Sequence, residues 1–150
     1  MIEKQIVSYT PVECTIRGIT LLSAEEYEEA KDYIQTLDSG WWLRSSDFWS
    51  PGAKLVTCDG LINEYGVEVS YGSVSVRPAL LILKPESLNL AIGDKIRFAG
   101  YMWTIIPGDM ALCDEEIGIN RFDAKTNDFK KSEIKQYIEN WLADKLAANS

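Results

Sequence analysis

The chain has no histidine, and its three cysteines, Cys14, Cys58 and Cys113, lie far apart with no CxxC pair. Without imidazole and with so few scattered thiols, no zinc ligand set is available. Acid–base chemistry is left to carboxylates and tyrosines, and no motif pairs two such groups. An enzyme is therefore the least expected class. The odd, widely spaced cysteines argue against a disulfide framework and for a reduced, cytoplasmic protein. Long apolar runs are also missing: none approaches the roughly 20 residues needed to span a bilayer. The opening MIEKQIVSYT lacks the charged and apolar regions of a signal peptide. Basic residues are scarce, 15 Lys and Arg against 23 Asp and Glu for a net charge of -8. The densest basic group, Lys130, Lys131 and Lys135, is too small to neutralise a phosphate backbone. No cofactor, membrane or direct nucleic-acid contact is expected.

What is present is an acidic globule. Twelve acids precede Pro85 and 11 follow it, so the charge is spread rather than held in a tail. At 150 residues and 46% hydrophobic content, the chain is expected to form one domain, residues 1–150, with a sizeable core.

Residues 1–19 alternate weakly as β structure, and Ile19 to Leu22 form an apolar strand leading to a clearly marked helix start. Ser23 is the N-cap, Glu26 completes a capping box, and Leu22 staples to Tyr27. The helix is expected over Ala24 to Leu37, with Tyr27, Ala30, Ile34 and Leu37 inward. Its remaining faces carry Glu25, Glu26, Glu28, Glu29 and Asp32, either a solvated face or a surface offered to a basic partner. Gly40 suits a left-handed C-cap.

Trp41 to Arg44 reads as a buried strand, Trp41 and Leu43 on one side and Trp42 and Arg44 on the other. Arg44 and Arg77 are expected to be scaffold residues that satisfy buried carbonyls or carboxylates. The following SSDFWSPG carries Phe48 and Trp49, either a plug over the core or a recognition patch. Lys54 to Cys58 is a strand, Asp59-Gly60 a hairpin turn, and Leu61 to Val69 is extended. Pro78 marks a strand start, bulge or edge, and Ala79 to Leu83 should occupy a sheet centre. Beyond the connector Lys84 to Asp94, KIRFAGYMWTII alternates as a hairpin or bent strand about Ala99-Gly100. Met110 to Cys113 returns after Pro107-Gly108-Asp109, and Asp114, Glu115 and Glu116 read as surface charge. Glu133 to Leu146, capped by Ser132, is an amphipathic helix with Ile134, Ile138, Trp141 and Leu142 on one stripe.

Several local patterns coincide with a domain family of unknown function within the C-type-lectin-like and formylglycine-generating-enzyme-like superfamily. ITLLSAEE (residues 19–26), WLRS (residues 42–45) and SVRPAL (residues 75–80) resemble segments of that family's second half. FAGYMWTII (residues 98–106), ALC (residues 111–113) and SEIKQYIE (residues 132–139) resemble its first half. Residues 19–83 thus look like the second half and residues 93–146 like the first, so the order is circularly permuted. The resemblance implies an α+β fold, a single twisted antiparallel sheet with two packed helices, and the Lys95 strand beside Ala79 to Leu83. It carries over little chemistry, since neither the cysteine chemistry nor the calcium motifs of superfamily members have a match. It does imply a variable loop face between Ser45 and Gly72.

On that face Asp47, Phe48, Trp49, Glu64, Tyr65, Glu68 and Tyr71 mix aromatic anchors with acids. The expected function is a non-enzymatic protein-binding module with a basic protein partner. Its concrete form is a phage or mobile-element inhibitor, anti-CRISPR-like, whose carboxylates stand in for phosphates. The alternative is a small-ligand or carbohydrate-binding module without a calcium site.

Overall fold

The computed structural model describes residues 2–8, 11–46, 52–83 and 90–148. Its strands are β1 (Ile2–Ser8), β2 (Pro11–Thr20), β3 (Trp41–Ser46), β4 (Gly52–Val56), β5 (Val67–Glu68), β6 (Ser75–Val76), β7 (Ala79–Leu83), β8 (Lys95–Phe98), β9 (Tyr101–Ile106), β10 (Met110–Cys113) and β11 (Gly118–Ile119). Two helices, α1 (Ala24–Ala30) and α2 (Glu133–Ala148), complete an α+β domain. The single sheet expected from sequence is in fact two. A closed barrel runs β1-β2-β7-β10-β9-β8, with every neighbouring pair antiparallel, and a mixed sheet runs β11-β6-β3-β4-β5.

Strand alternation explains how both layers are buried. In β3, Trp41 and Leu43 enter one apolar cluster while Trp42 enters another. In β10, Met110 and Leu112 join the first of these clusters, and Ala111 and Cys113 the second. The larger cluster gathers Ile16, Leu80, Ile82, Ile96, Phe98, Trp103 and Ile105 from the barrel strands and takes Ile134, Ile138 and Leu142 from α2. The smaller one takes Tyr27 and Ala30 from α1. Strands apolar on both faces lie between two covered layers, and the two helices serve different cores.

The start of α1 follows its local rules. Ser23 accepts from the Glu26 amide at 3.1 Å, and Glu26 accepts from the Ser23 amide at 2.9 Å. The helix is shorter than expected, because a 3-10 turn at Lys31–Tyr33 follows and Ile34 is extended. Unwinding there leaves the Gln35 carbonyl free to accept from Arg77 at 3.0 Å. Gly40 is not among the glycines of positive φ. Its role is close approach, since a Cβ there would sit 3.3 Å from both Leu55 Cδ1 and the Val56 carbonyl.

The β8–β9 hairpin turns through Ala99 (φ 56°) and Gly100 (φ 83°), the primed turn that matches strand twist. This two-residue turn sets the facing residues, with Trp103 opposite Ile96 and both in the larger core. The Lys95 strand and β7 share the barrel but are not neighbours. β7 is flanked by β2 and β10, and β8 by β9 and β1, because the first hairpin and the β10 return strand occupy both edges of β7.

The chain passes from the mixed sheet to the barrel between β6 and β7, at Arg77-Pro78, and returns between β10 and β11. The two crossings lie side by side, with the Cys113 amide donating to the Pro78 carbonyl at 3.0 Å and Ile117 to Val76 at 2.9 Å. Arg77 is 1% exposed and ties them together. It donates to the carbonyls of Cys113 at 2.7 Å, Gln35 at 3.0 Å and Asp114 at 3.5 Å, and lies 5.0 Å from the Trp41 ring centroid. Burial pushes its pKa down to about 10, with Asp114 opposing the shift, so it stays charged at neutral pH.

Replacing Arg77 with Ala orphans buried carbonyls and leaves a cavity, and should lower the unfolding free energy by about 3 kcal/mol or more. Urea melts of wild type and Arg77→Ala measure this, and an unchanged midpoint would remove Arg77 from the scaffold.

Candidate functional site

The β4–β5 connection begins with a turn in which the Gly60 amide donates to the Thr57 carbonyl at 2.9 Å. Gly60 holds φ at 83°, which favours glycine, and a Cβ there would also crowd Thr36 Cγ2 at 3.0 Å. The Tyr27 hydroxyl donates to the Gly60 carbonyl at 2.6 Å and fastens this turn to α1. A second turn follows, in which Asn63 Oδ1 accepts from the Tyr65 amide at 3.1 Å and the Asn63 carbonyl accepts from Gly66 at 3.2 Å. This breaks the extended run expected over Leu61 to Val69, leaving one bridge at Ile62 and the short β5.

The consequence is an outward-facing edge of the mixed sheet. Tyr65 is 80% exposed and Tyr71 56%. Glu68 is exposed on β5 opposite Gly52, and Glu64 is exposed and 3.5 Å from Lys54. Four of the residues singled out from sequence, Glu64, Tyr65, Glu68 and Tyr71, therefore lie along one edge. The other three, Asp47, Phe48 and Trp49, lie outside the described residues. Leu61, 67% exposed, belongs to the same edge and was missed. Its signal is an apolar residue placed directly after an Asp-Gly turn, where the chain has not yet resumed pairing.

Arg44 is half-buried at the end of β3 and grips Glu26 through both terminal nitrogens while also donating to the Leu21 carbonyl at 2.8 Å. Burial opposes charge on Glu26. The hydrogen bonds from Arg44 and Ser23, with the Arg44 charge, outweigh that and hold its carboxyl below the ordinary glutamate range. Glu26 is thus not part of the solvated acidic face; Glu25, Glu28, Glu29 and Asp32 are exposed, with Glu28 paired to Lys31.

Asp114 also leaves the surface group in which the sequence placed it. It accepts from Lys95 Nζ at 2.6 Å and from the Thr104 hydroxyl at 2.5 Å, while Lys95 also donates to Thr104 at 2.9 Å. An ammonium, a hydroxyl and a carboxylate in mutual contact have the composition of a nucleophile with its activators. Thr104, however, is fully buried. Here the trio joins β8 and β9 to the end of β10. Cys113 is buried as well, and burial pushes its thiol up to about 12. Among the described residues no group of three His, Cys, Asp or Glu side chains converges as a metal site, and no helix is long and apolar enough to cross a membrane.

Compared with known protein families, curated proteins and solved structures, the chain matches none.

Two outcomes follow from this geometry. Because the Glu26 pKa is lowered on folding, its contribution is present above the unfolded value near 4.5 and is lost as pH falls through the folded one. Glu26→Gln should therefore be less stable than wild type at pH 7, with the gap closing in acid, as followed by thermal melts across pH. By contrast, Tyr65→Ala and Tyr71→Ala remove exposed rings and should change stability by no more than about 0.5 kcal/mol. A larger loss would make those tyrosines scaffold rather than display.

Proposed function

We propose that the protein is a non-enzymatic, cytoplasmic binding module whose β5 edge docks on a basic protein surface. The observation that carries this reading is the edge itself. Tyr65, Tyr71 and Leu61 present exposed apolar area beside Asp59, Glu64 and Glu68, on a chain of net charge -8. Aromatic anchors supply contact energy at interfaces, and a surplus of carboxylates steers a cationic partner. A nucleic-acid-binding protein fits this chemistry, because carboxylates can occupy the positions its phosphate contacts would take. The concrete form of the reading is a phage or mobile-element inhibitor, anti-CRISPR-like, that occludes such a protein.

The same proposal includes the finer fold: a circularly permuted C-type-lectin-like domain. Supporting it, the segments that carry the resemblance meet in space. Arg77 of SVRPAL packs on Trp41 beside WLRS, Trp41 and Ser75 pair across parallel strands, and β7 pairs with β10 so that the two halves share one barrel. The second reading, a small-ligand or carbohydrate-binding module without calcium, is favoured by one observation, an open cleft lined by Arg44 and Ser46 of β3 and by residues 127–130.

The test is affinity capture from host lysate with wild type and a Tyr65→Ala/Tyr71→Ala variant, followed by an assay of nucleic-acid binding by the captured protein. The expected result is a basic protein whose nucleic-acid binding is blocked by wild type and at least about tenfold less by the variant, since interface hot spots exceed this cost. Raising the salt should slow association, and Glu64→Lys/Glu68→Lys should reduce that salt dependence. Capture unaffected by either variant places the interface elsewhere, and a captured protein whose nucleic-acid binding is untouched excludes the inhibitor.

A further inference from the structure

The end of β3 and the turn preceding α2 enclose an open cleft of about 370 Å³, within the size range of small-ligand sites. Its lining is Arg44, Ser46, Asn127, Asp128, Phe129 and Lys130. Two cations, Arg44 and Lys130, thus meet one carboxylate, Asp128, in this lining, and Glu26 neutralises Arg44.

The state of each lining group defines what would fit. Arg44 is held from behind by Glu26 and the Leu21 carbonyl, so its guanidinium is fixed in place. Asn127 donates its amide to the Gly52 carbonyl at 3.0 Å, which fixes the side chain and leaves its oxygen as an acceptor. One oxygen of Asp128 caps the Lys130 amide at 3.1 Å, so that carboxylate is partly spent on the turn. The ammonium of Lys130 forms no ion pair among the described residues, whereas the Asp128 carboxylate already accepts from a backbone amide. Phe129, half-buried against Phe122 at 6.3 Å between ring centroids, gives the cleft an apolar wall.

We propose that this cleft binds a small organic carboxylate with a flat or apolar body. The carboxylate meets Lys130 on the Arg44 side, the body lies against Phe129, and a hydroxyl or amide substituent reaches Ser46 or the Asn127 oxygen. This site is separate from the β5 edge, and the two are tested independently.

The experiment uses the full chain and 4-hydroxybenzoate as probe, with 4-hydroxybenzamide as its uncharged counterpart and inorganic phosphate as the bare anion. Saturation-transfer NMR and calorimetry measure binding. Lys130 is exposed and outside the core, so Lys130→Glu is expected to fold, as circular dichroism checks, and Lys130→Arg keeps the charge. The expected result is binding of the carboxylate, at least about tenfold weaker binding of the amide, a similar loss in Lys130→Glu and retention in Lys130→Arg. Equal binding of amide and carboxylate, unchanged binding by folded Lys130→Glu, or binding of phosphate alone would each overturn the assignment. Because the captured-protein assay uses variants of the β5 edge only, failure there leaves this result standing, and the reverse holds.

Discussion

A guanidinium taken out of water must find acceptors for its donors, and the placement of Arg77 shows how much of the fold that requirement organises. Its three carbonyl partners come from two separate places: the unwound segment after α1, and the last residue of β10 with the residue beyond it. To satisfy one side chain the chain ends α1 early, brings two of the three crossings between sheet and barrel together, and stacks Trp41 beneath the charge. Carbonyl acceptors and an aromatic face, rather than a paired carboxylate, solvate the cation. Such a site tolerates no simple replacement, because removing the charge leaves the carbonyls without donors.

The same economy recurs in the polar groups around it. Lys95, Thr104 and Asp114 close a small network one residue from the Cys113 carbonyl that Arg77 uses, so β8, β9 and β10 are fixed by side chains as well as by their ladders. Between β11 and α2, Asp123 accepts from the amides of Lys125 and Thr126 and from the Glu133 amide at 2.9 Å, which fixes the turn leading into the helix. Gly118 has a matching steric role: a Cβ there would stand 2.2 Å from the Tyr137 hydroxyl, so any side chain would have to displace that ring.

What was legible in the sequence was local. The capping box at Ser23 and Glu26, the turn at Gly60, the strand of Ala79 to Leu83 and the apolar stripe of α2 each depend on residues within a few positions of one another. The division into barrel and mixed sheet was not legible, because strands apolar on both faces do not declare which neighbour lies on which side. The parallel contact of Trp41 with Ser75 and the closure of β1 on β8 are set by tertiary packing. Paired charges misled for a related reason: Glu26 and Asp114 sit in acid-rich stretches, and their cationic partners are distant in sequence. Of the candidate site, the exposed tyrosines were readable as polar-segment aromatics, whereas the cleft joins residues 44–46 to 127–130 and leaves no local trace.

The barrel closes where β1 meets β8, through the pairs Val7 with Arg97 and Ser8 with Ile96, while β1 pairs with β2 over a longer register. On a chain emerging from a ribosome, the hairpin of residues 2–20 is complete long before either of its other sheet neighbours exists. Its outer edges stay open until β7 and then β8 have been made, and at about 5–20 residues per second that interval lasts several seconds. Formation of the sheet around it is therefore governed by the order of synthesis, with the earliest hairpin the last to be sealed, and its exposed edges are where a nascent chain would first attract a chaperone or a neighbouring copy.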